Sequence, residues 1–243
     1  MTRPFLSAAA ALAALLAVAG VPGATPARAA DAATGSGSAT ATPAPAVAPA
    51  VANDLREFRV GMTVRELPAH GYLDFTCDGA SGHSLTGWDA YASCPADAHG
   101  LHDVDFKYDD AYNPRARLNS ALGGTKVAGH PVVLTLMIDN AGVVQGLRIA
   151  TDPHVPPYLH KKAFLFRDQV RQQFGSDGWT CTTGHPTGDE EPIADIFIKQ
   201  HCEKVTPTRH LYLDTSLYQH PGAHTLKDMV NGTVLTIMLR HPG

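Results

Sequence analysis

The sequence is poor in the patterns that name an activity. It holds no GxSxG, HExxH, Walker loop, dinucleotide-binding glycine fingerprint or EF-hand loop. The usual frames of nucleophile elbows, zinc proteases, nucleotide sites and calcium loops are therefore missing. No apolar run approaches the roughly 20 residues that span a bilayer as a helix. Basic residues are few, 19 Lys+Arg against 23 Asp+Glu, which gives no electrostatic footprint for nucleic acid or an anionic membrane surface. There are only four cysteines and no C-x-x-C spacing, which argues against zinc ribbons and thioredoxin-type motifs. From these absences we expect no cofactor, and no catalytic or metal-ligating residue is nominated.

What is present begins with the marks of export. Arg3 supplies a positive start, residues 7–19 are a continuous small and apolar run, and Ala27-Arg28-Ala29 offers a small-x-small cleavage site. Residues 1–30 thus read as a signal peptide cut at Ala29 or Ala30, which places the chain in the periplasm or outside the cell, with no membrane insertion afterwards. Losing Arg3 and Arg28 leaves 17 basic residues and a net charge of −6. Residues 31–52, rich in Ala, Thr, Pro, Gly and Ser, bury too little apolar surface to offset chain entropy and read as a disordered linker.

The folded part carries an apparent duplication. Gly71-x-x-x-Phe75-Thr76-Cys77 returns as Gly175-x-x-x-Trp179-Thr180-Cys181, and residues 133–138 (VLTLMI) return as 234–239 (VLTIML). A period near 100 residues predicts two units, 53–152 and 153–243. Each is expected to be a helix followed by an antiparallel sheet, an α+β fold of two tandem helix-plus-sheet units with one disulfide each. Thr63-Val-Arg-Glu66 is a capping box that can open the first helix, although Pro68 must end or kink it early. The second helix should follow Pro156-Pro157, bury Ala163, Phe166, Val170 and Phe174, and close on Gly175. Residues 131–138 and 233–240 alternate as half-buried strands. Asp139–Gly142 and Asn231-Gly232 read as turns.

Four cysteines in an exported chain imply disulfides, with three possible connectivities. If each unit closes its own bridge, the pairs are Cys77–Cys94 and Cys181–Cys202. Loops of this length should contribute roughly 3 kcal/mol each. A Cys181/His185/His201/Cys202 metal set can be written on paper, but its spacing matches no zinc pattern.

The 13 histidines keep a second possibility open, a periplasmic metal-binding protein or enzyme, for which His99, His102 and Asp105 are the first residues to test. Strand alternation turns His102 away from Asp103 and Asp105, however. Residues 209–218 supply a better surface. There Leu211, Leu213 and Leu217 should face the core, while His210, Tyr212, Asp214 and Tyr218 face out as a binding set. Tyrosines on an open face combine contact area with a hydroxyl handle. The expected partner is another protein, with the oligomeric state left open.

Gly61-Met62-Thr63 opening a short helix, followed by strands with a bridged cysteine pair and a tandem repeat, resembles the β-lactamase inhibitory protein family. Its units are similar to the small lipoprotein of the outer-membrane β-barrel assembly machinery. The resemblance implies a tandem helix-plus-sheet fold whose sheet faces bind protein, and it assigns no individual functional residue. The resulting expectation is an exported, non-catalytic binding protein, an inhibitor or an envelope accessory.

Overall fold

The computed structural model describes residues 52–77, 82–112, 125–223, 225 and 228–241. The expected signal peptide (1–30) and nearly all of the linker (31–52) lie outside the described residues. Nine strands occur among them: β1 (Tyr72–Cys77), β2 (Leu101–Tyr108), β3 (Lys126–Val127), β4 (His130–Asp139), β5 (Val144–Thr151), β6 (Thr180–Thr183), β7 (Ile198–Val205), β8 (Arg209–Gln219) and β9 (Met229–Leu239). All belong to one antiparallel sheet of order β1-β2-β4-β5-β9-β8-β7-β6, with β3 paired to β4. The described residues hold one α-helix, α1 (Ala163–Gln173).

This overturns the expected α+β fold of two helix-plus-sheet units: the protein is mostly antiparallel β-sheet. The first helix fails for a local reason. Glu66 does answer Thr63, accepting from its backbone N–H at 2.7 Å and its hydroxyl at 3.0 Å. Yet the turn lasts only through the 3-10 segment Val64–Glu66. Pro68 crowds the residue before it out of the helical region, and Leu67 is extended (φ −68°, ψ 144°). Nor do the two halves keep separate sheets. β5 and β9 pair from Gly146↔Met238 to Ala150↔Val234, so five strands of the first half and four of the second form one sheet.

Strand alternation sorts the residues of that surface. Phe106, Leu134, Ile149, Leu235, Leu213 and Cys202 are successive cross-strand partners on the inner face. Each is at most 2 % exposed. In the second half α1 covers this row with Ala163, Phe166 and Val170. Burying Phe166 and Val170 contributes about 1.5–3 kcal/mol apiece. In the first half an aromatic cluster replaces the missing helix. Phe58, Trp88 and Phe106 lie 5.0–5.7 Å apart between centroids, and Trp88 Nε1 donates to Pro68 O at 3.0 Å.

Two further expectations change. Asn231-Gly232 is no turn but lies inside β9. Asn231 instead caps α1 from a distance: its Oδ1 accepts from Ala163 N at 2.8 Å and its Nδ2 donates to Lys161 O at 3.2 Å. The second sequence match also falls out of step. If β1 corresponds to β6, counting inward places β5 opposite β9, yet residues 133–138 lie on β4. The two matching segments therefore occupy strands that do not correspond under that alignment.

Both cysteine pairs are bonded, Cys77–Cys94 and Cys181–Cys202, with no free cysteine among the described residues. Cys181 and Cys202 are direct partners across β6–β7. Cys94 follows the 3-10 turn Trp88–Ser93 rather than sitting on a neighbouring strand.

Candidate functional site

The outer face of β7–β9 gathers the residues that sequence alternation placed on one side of β8. Cross-strand pairing sets three rows: Val234–Asp214–His201, Thr236–Tyr212–Glu203 and Met238–His210–Val205. No described helix lies on this face. The α1 contacts to the β8–β9 hairpin run through Thr233, a core-facing residue whose hydroxyl donates to Ala163 O at 2.8 Å.

His201 is the centre of the arrangement. Its Nδ1 lies 2.7 Å from Asp214 Oδ1 and its Nε2 lies 3.1 Å from Glu203 Oε1. An imidazole with a carboxylate at each nitrogen satisfies both only by donating from both, which is the imidazolium form. The Asp214 hydrogen bond, followed by that of Glu203, accordingly raises the His201 pKa above its ordinary value. Glu203 is held below the usual carboxylate range by hydrogen bonds from His201 and then His210. His210 Nε2 reaches Glu203 Oε2 at 2.9 Å, and Tyr212 Oη lies 2.8 Å from His210 Nδ1. This fits the tautomer in which Nε2 donates and Nδ1 accepts the phenol proton. The Tyr212 and His210 rings lie 4.1 Å apart.

Three of the four nominated residues, His210, Tyr212 and Asp214, therefore join one network through His201 and Glu203. Tyr218 stands apart, roughly 20 Å along the strand from Tyr212 at 3.4 Å per residue. Its neighbours are Phe197 at 5.7 Å, His220 at 5.6 Å and the Lys199 ammonium at 5.8 Å from its ring. Lys199 is itself paired with Glu190 at 2.6 Å. The alternation of residues 199–205 marks His201 and Glu203 as same-face residues. Their partners depend on the β7–β8 register, which the sequence does not display.

The rest of the outer face is tied down in a different way. Arg148 pairs with Asp103 at 2.9 Å, and Thr135 Oγ1 donates to Asp105 Oδ1 at 2.6 Å. These links leave Thr135 and Asp105 buried although they point outward. On the next row Gly146 leaves room for two methionines: a Cβ there would meet the sulfurs of Met137 and Met238 at 2.7 Å each.

The histidine cluster of the second possibility does not converge. His102 points inward, its Nδ1 2.7 Å from Cys94 O and its Nε2 3.0 Å from Asn140 Oδ1. Asp105 lies on the opposite face, held by Thr135, and His99 uses its backbone N–H to close a turn on Asp97. No group of three or more His, Cys, Asp or Glu residues suited to a metal ion occurs among the described residues. Cys181 and Cys202, the thiols of the other paper metal set, are joined to each other.

Chemically, the β7–β8 network is an ordered set of donors, acceptors and ring surface on an open sheet. Comparison with protein-family models, with curated proteins and with solved structures finds no match for this chain.

Proposed function

We propose that this is an exported, non-catalytic binding protein that engages another protein through the outer face of β7–β9. The observation that carries this reading is the His201–Glu203–His210–Tyr212–Asp214 network. It fixes a tyrosine and four polar side chains in place on a sheet face that no other described element covers. Side chains ordered before binding lose less rotamer entropy in the complex. Tyrosine is among the residues enriched at interface hot spots. Two disulfides and the absence, among the described residues, of a helix long and apolar enough to cross a membrane are compatible with a periplasmic or extracellular setting.

The experiment is a paired capture from envelope extract, using the wild-type protein and Tyr212→Ala/Tyr218→Ala. A specific partner should be retained by the wild type and lost by the double variant. Equal capture by both would refute the assignment of this face.

A further inference from the structure

At one end of the β8–β9 hairpin the inner face outruns its helix. α1 has 11 residues, about 16 Å at 1.5 Å per residue. β8 and β9 also have 11 each, about 37 Å when extended. The helix starts over Thr233 and ends where Gln173 donates to Asp54 O. Asp54 is in turn paired with Arg209, the first residue of β8. Leu217–Gln219 and Met229–Asn231 therefore lie beyond the start of α1. There residues drawn from the segment 151–162, together with Ile193, wall a cleft of about 920 Å³ that wraps from the inner face round the edge of β9 to Val230, Gly232 and Val234, within the range of small-molecule sites.

The chemistry of the wall has a sign. Pro153, Val155, Ile193, Leu217, Met229 and Val230 give it an apolar lining. Its neutral polar groups are engaged: Thr151 Oγ1 accepts from Thr233 N, Asn231 caps α1, and His160 Nε2 donates to Val155 O. His154 sits at the rim with Asp152 3.3 Å away, and Asp152 is not part of the wall. No carboxylate lines the cleft. Lys162 is the one Lys, Arg, Asp or Glu residue of the lining, and its ammonium lies 6.0 Å from the Phe164 ring.

We propose that this cleft binds a small amphiphile with an apolar tail and an anionic head, carboxylate or phosphate. The tail lies against Val155, Leu217 and Met229, which the strand register puts on the inner face with Leu217, and the head pairs with Lys162. An apolar tail gains from the wall in proportion to the apolar area it buries. Lys162 selects the head, because the lining offers a cationic amphiphile no carboxylate, Asp152 lying beyond the rim beside His154. The cleft borders the protein-binding face, since Val234 belongs to both and Val230 pairs with Tyr218, but the inference does not rest on that reading and its test uses different residues.

The test is isothermal titration of the purified protein with decanoate, decyl phosphate and decyltrimethylammonium, each below its micelle concentration. The two anions should bind saturably, one per chain, with the cation at least about tenfold weaker. Their relative affinities separate a fatty acid from a phosphate-headed lipid as the natural source. Lys162→Met keeps the stem and removes the charge, and should weaken the anions about tenfold with an unchanged melting temperature. Met229→Trp should plug the cleft and abolish binding, and Val155→Trp serves in its place if Met229→Trp lowers the melting temperature. Absence of saturable anion binding, equal binding of the cation, or binding that survives a folded plug variant would each overturn the proposal.

Discussion

Asp54 and Arg209 close the fold across 155 residues of sequence, and removing either should have a large effect. The Asp54 side chain is 2 % exposed and that of Arg209 13 %. Asp54 accepts from the guanidinium through both carboxylate oxygens and from Val60 N at 2.8 Å. Arg209 also donates to Ala52 O at 3.1 Å. Asp54→Ala therefore leaves a buried guanidinium unpaired and a backbone N–H without its acceptor. Breaking a buried pair from one side costs about 3–5 kcal/mol, and the orphaned N–H adds about 1–3 kcal/mol. Asp54→Asn keeps an acceptor for Val60 and should cost less than Asp54→Ala. In Asp54→Ala/Arg209→Leu the uncompensated charge is gone, so the double variant should be more stable than the sum of the single effects implies. Urea melts at neutral pH read the wild type, Asp54→Ala, Asp54→Asn, Arg209→Leu and the double variant. A loss below about 1 kcal/mol for Asp54→Ala, the level of a solvent-screened pair, would refute the reasoning, as would strict additivity in the cycle.

Other consequences can be checked separately. Phe166→Ala opens the α1–sheet contact and should cost about 3–5 kcal/mol, whereas Leu165→Ala, 44 % exposed on the same helix, should stay within about 0.5 kcal/mol; thermal melts compare them. His130 is buried beside Phe166, and its pKa is pushed below the ordinary value by burial and then by the Lys161 charge, with a Gln169 hydrogen bond opposing. The unfolded chain thus takes up a proton there that the folded chain declines, so stability should fall as pH drops below about 6.5, and His130→Leu should flatten that decline. Non-reducing peptide mapping should recover Cys77–Cys94 and Cys181–Cys202 peptides, and a Cys77–Cys181 peptide would contradict the observed pairing.

Much of the local geometry was legible in the sequence because it follows from periodicity. Alternation alone places Leu134, Leu136 and Ile138, and likewise Leu211, Leu213 and Leu217, on the buried side, where each is at most 5 % exposed. The 3.6-residue stripe of α1 and its Gly175 closure, at φ +85°, are equally local. The misreadings arise where distant or competing terms decide. The Thr63 capping box is real, but Pro68 limits it to one 3-10 turn. Asn231-Gly232 looks like a turn in isolation, yet Asn231 is needed at the start of α1 and Thr233 N must reach Thr151 Oγ1 at 3.0 Å. The β5–β9 seam joins strands nearly 90 residues apart, and no local pattern signals it. The same holds for the candidate site: residues 210–218 could be assigned to a face, but the pairing of His201 with Asp214, and of Glu203 with His210, exists only once the β7–β8 register is set.

The binding role of the outer face is tested most directly by measuring the Tyr212→Ala/Tyr218→Ala protein twice, for melting temperature and for affinity to the partner that the wild type captures. Both tyrosines are only partly buried and belong to no core cluster. The melting temperature should therefore stay within a few degrees of wild type, while each truncation costs binding about 2 kcal/mol. An unchanged affinity, or a collapse of the melting temperature, would contradict the assignment of this face to binding.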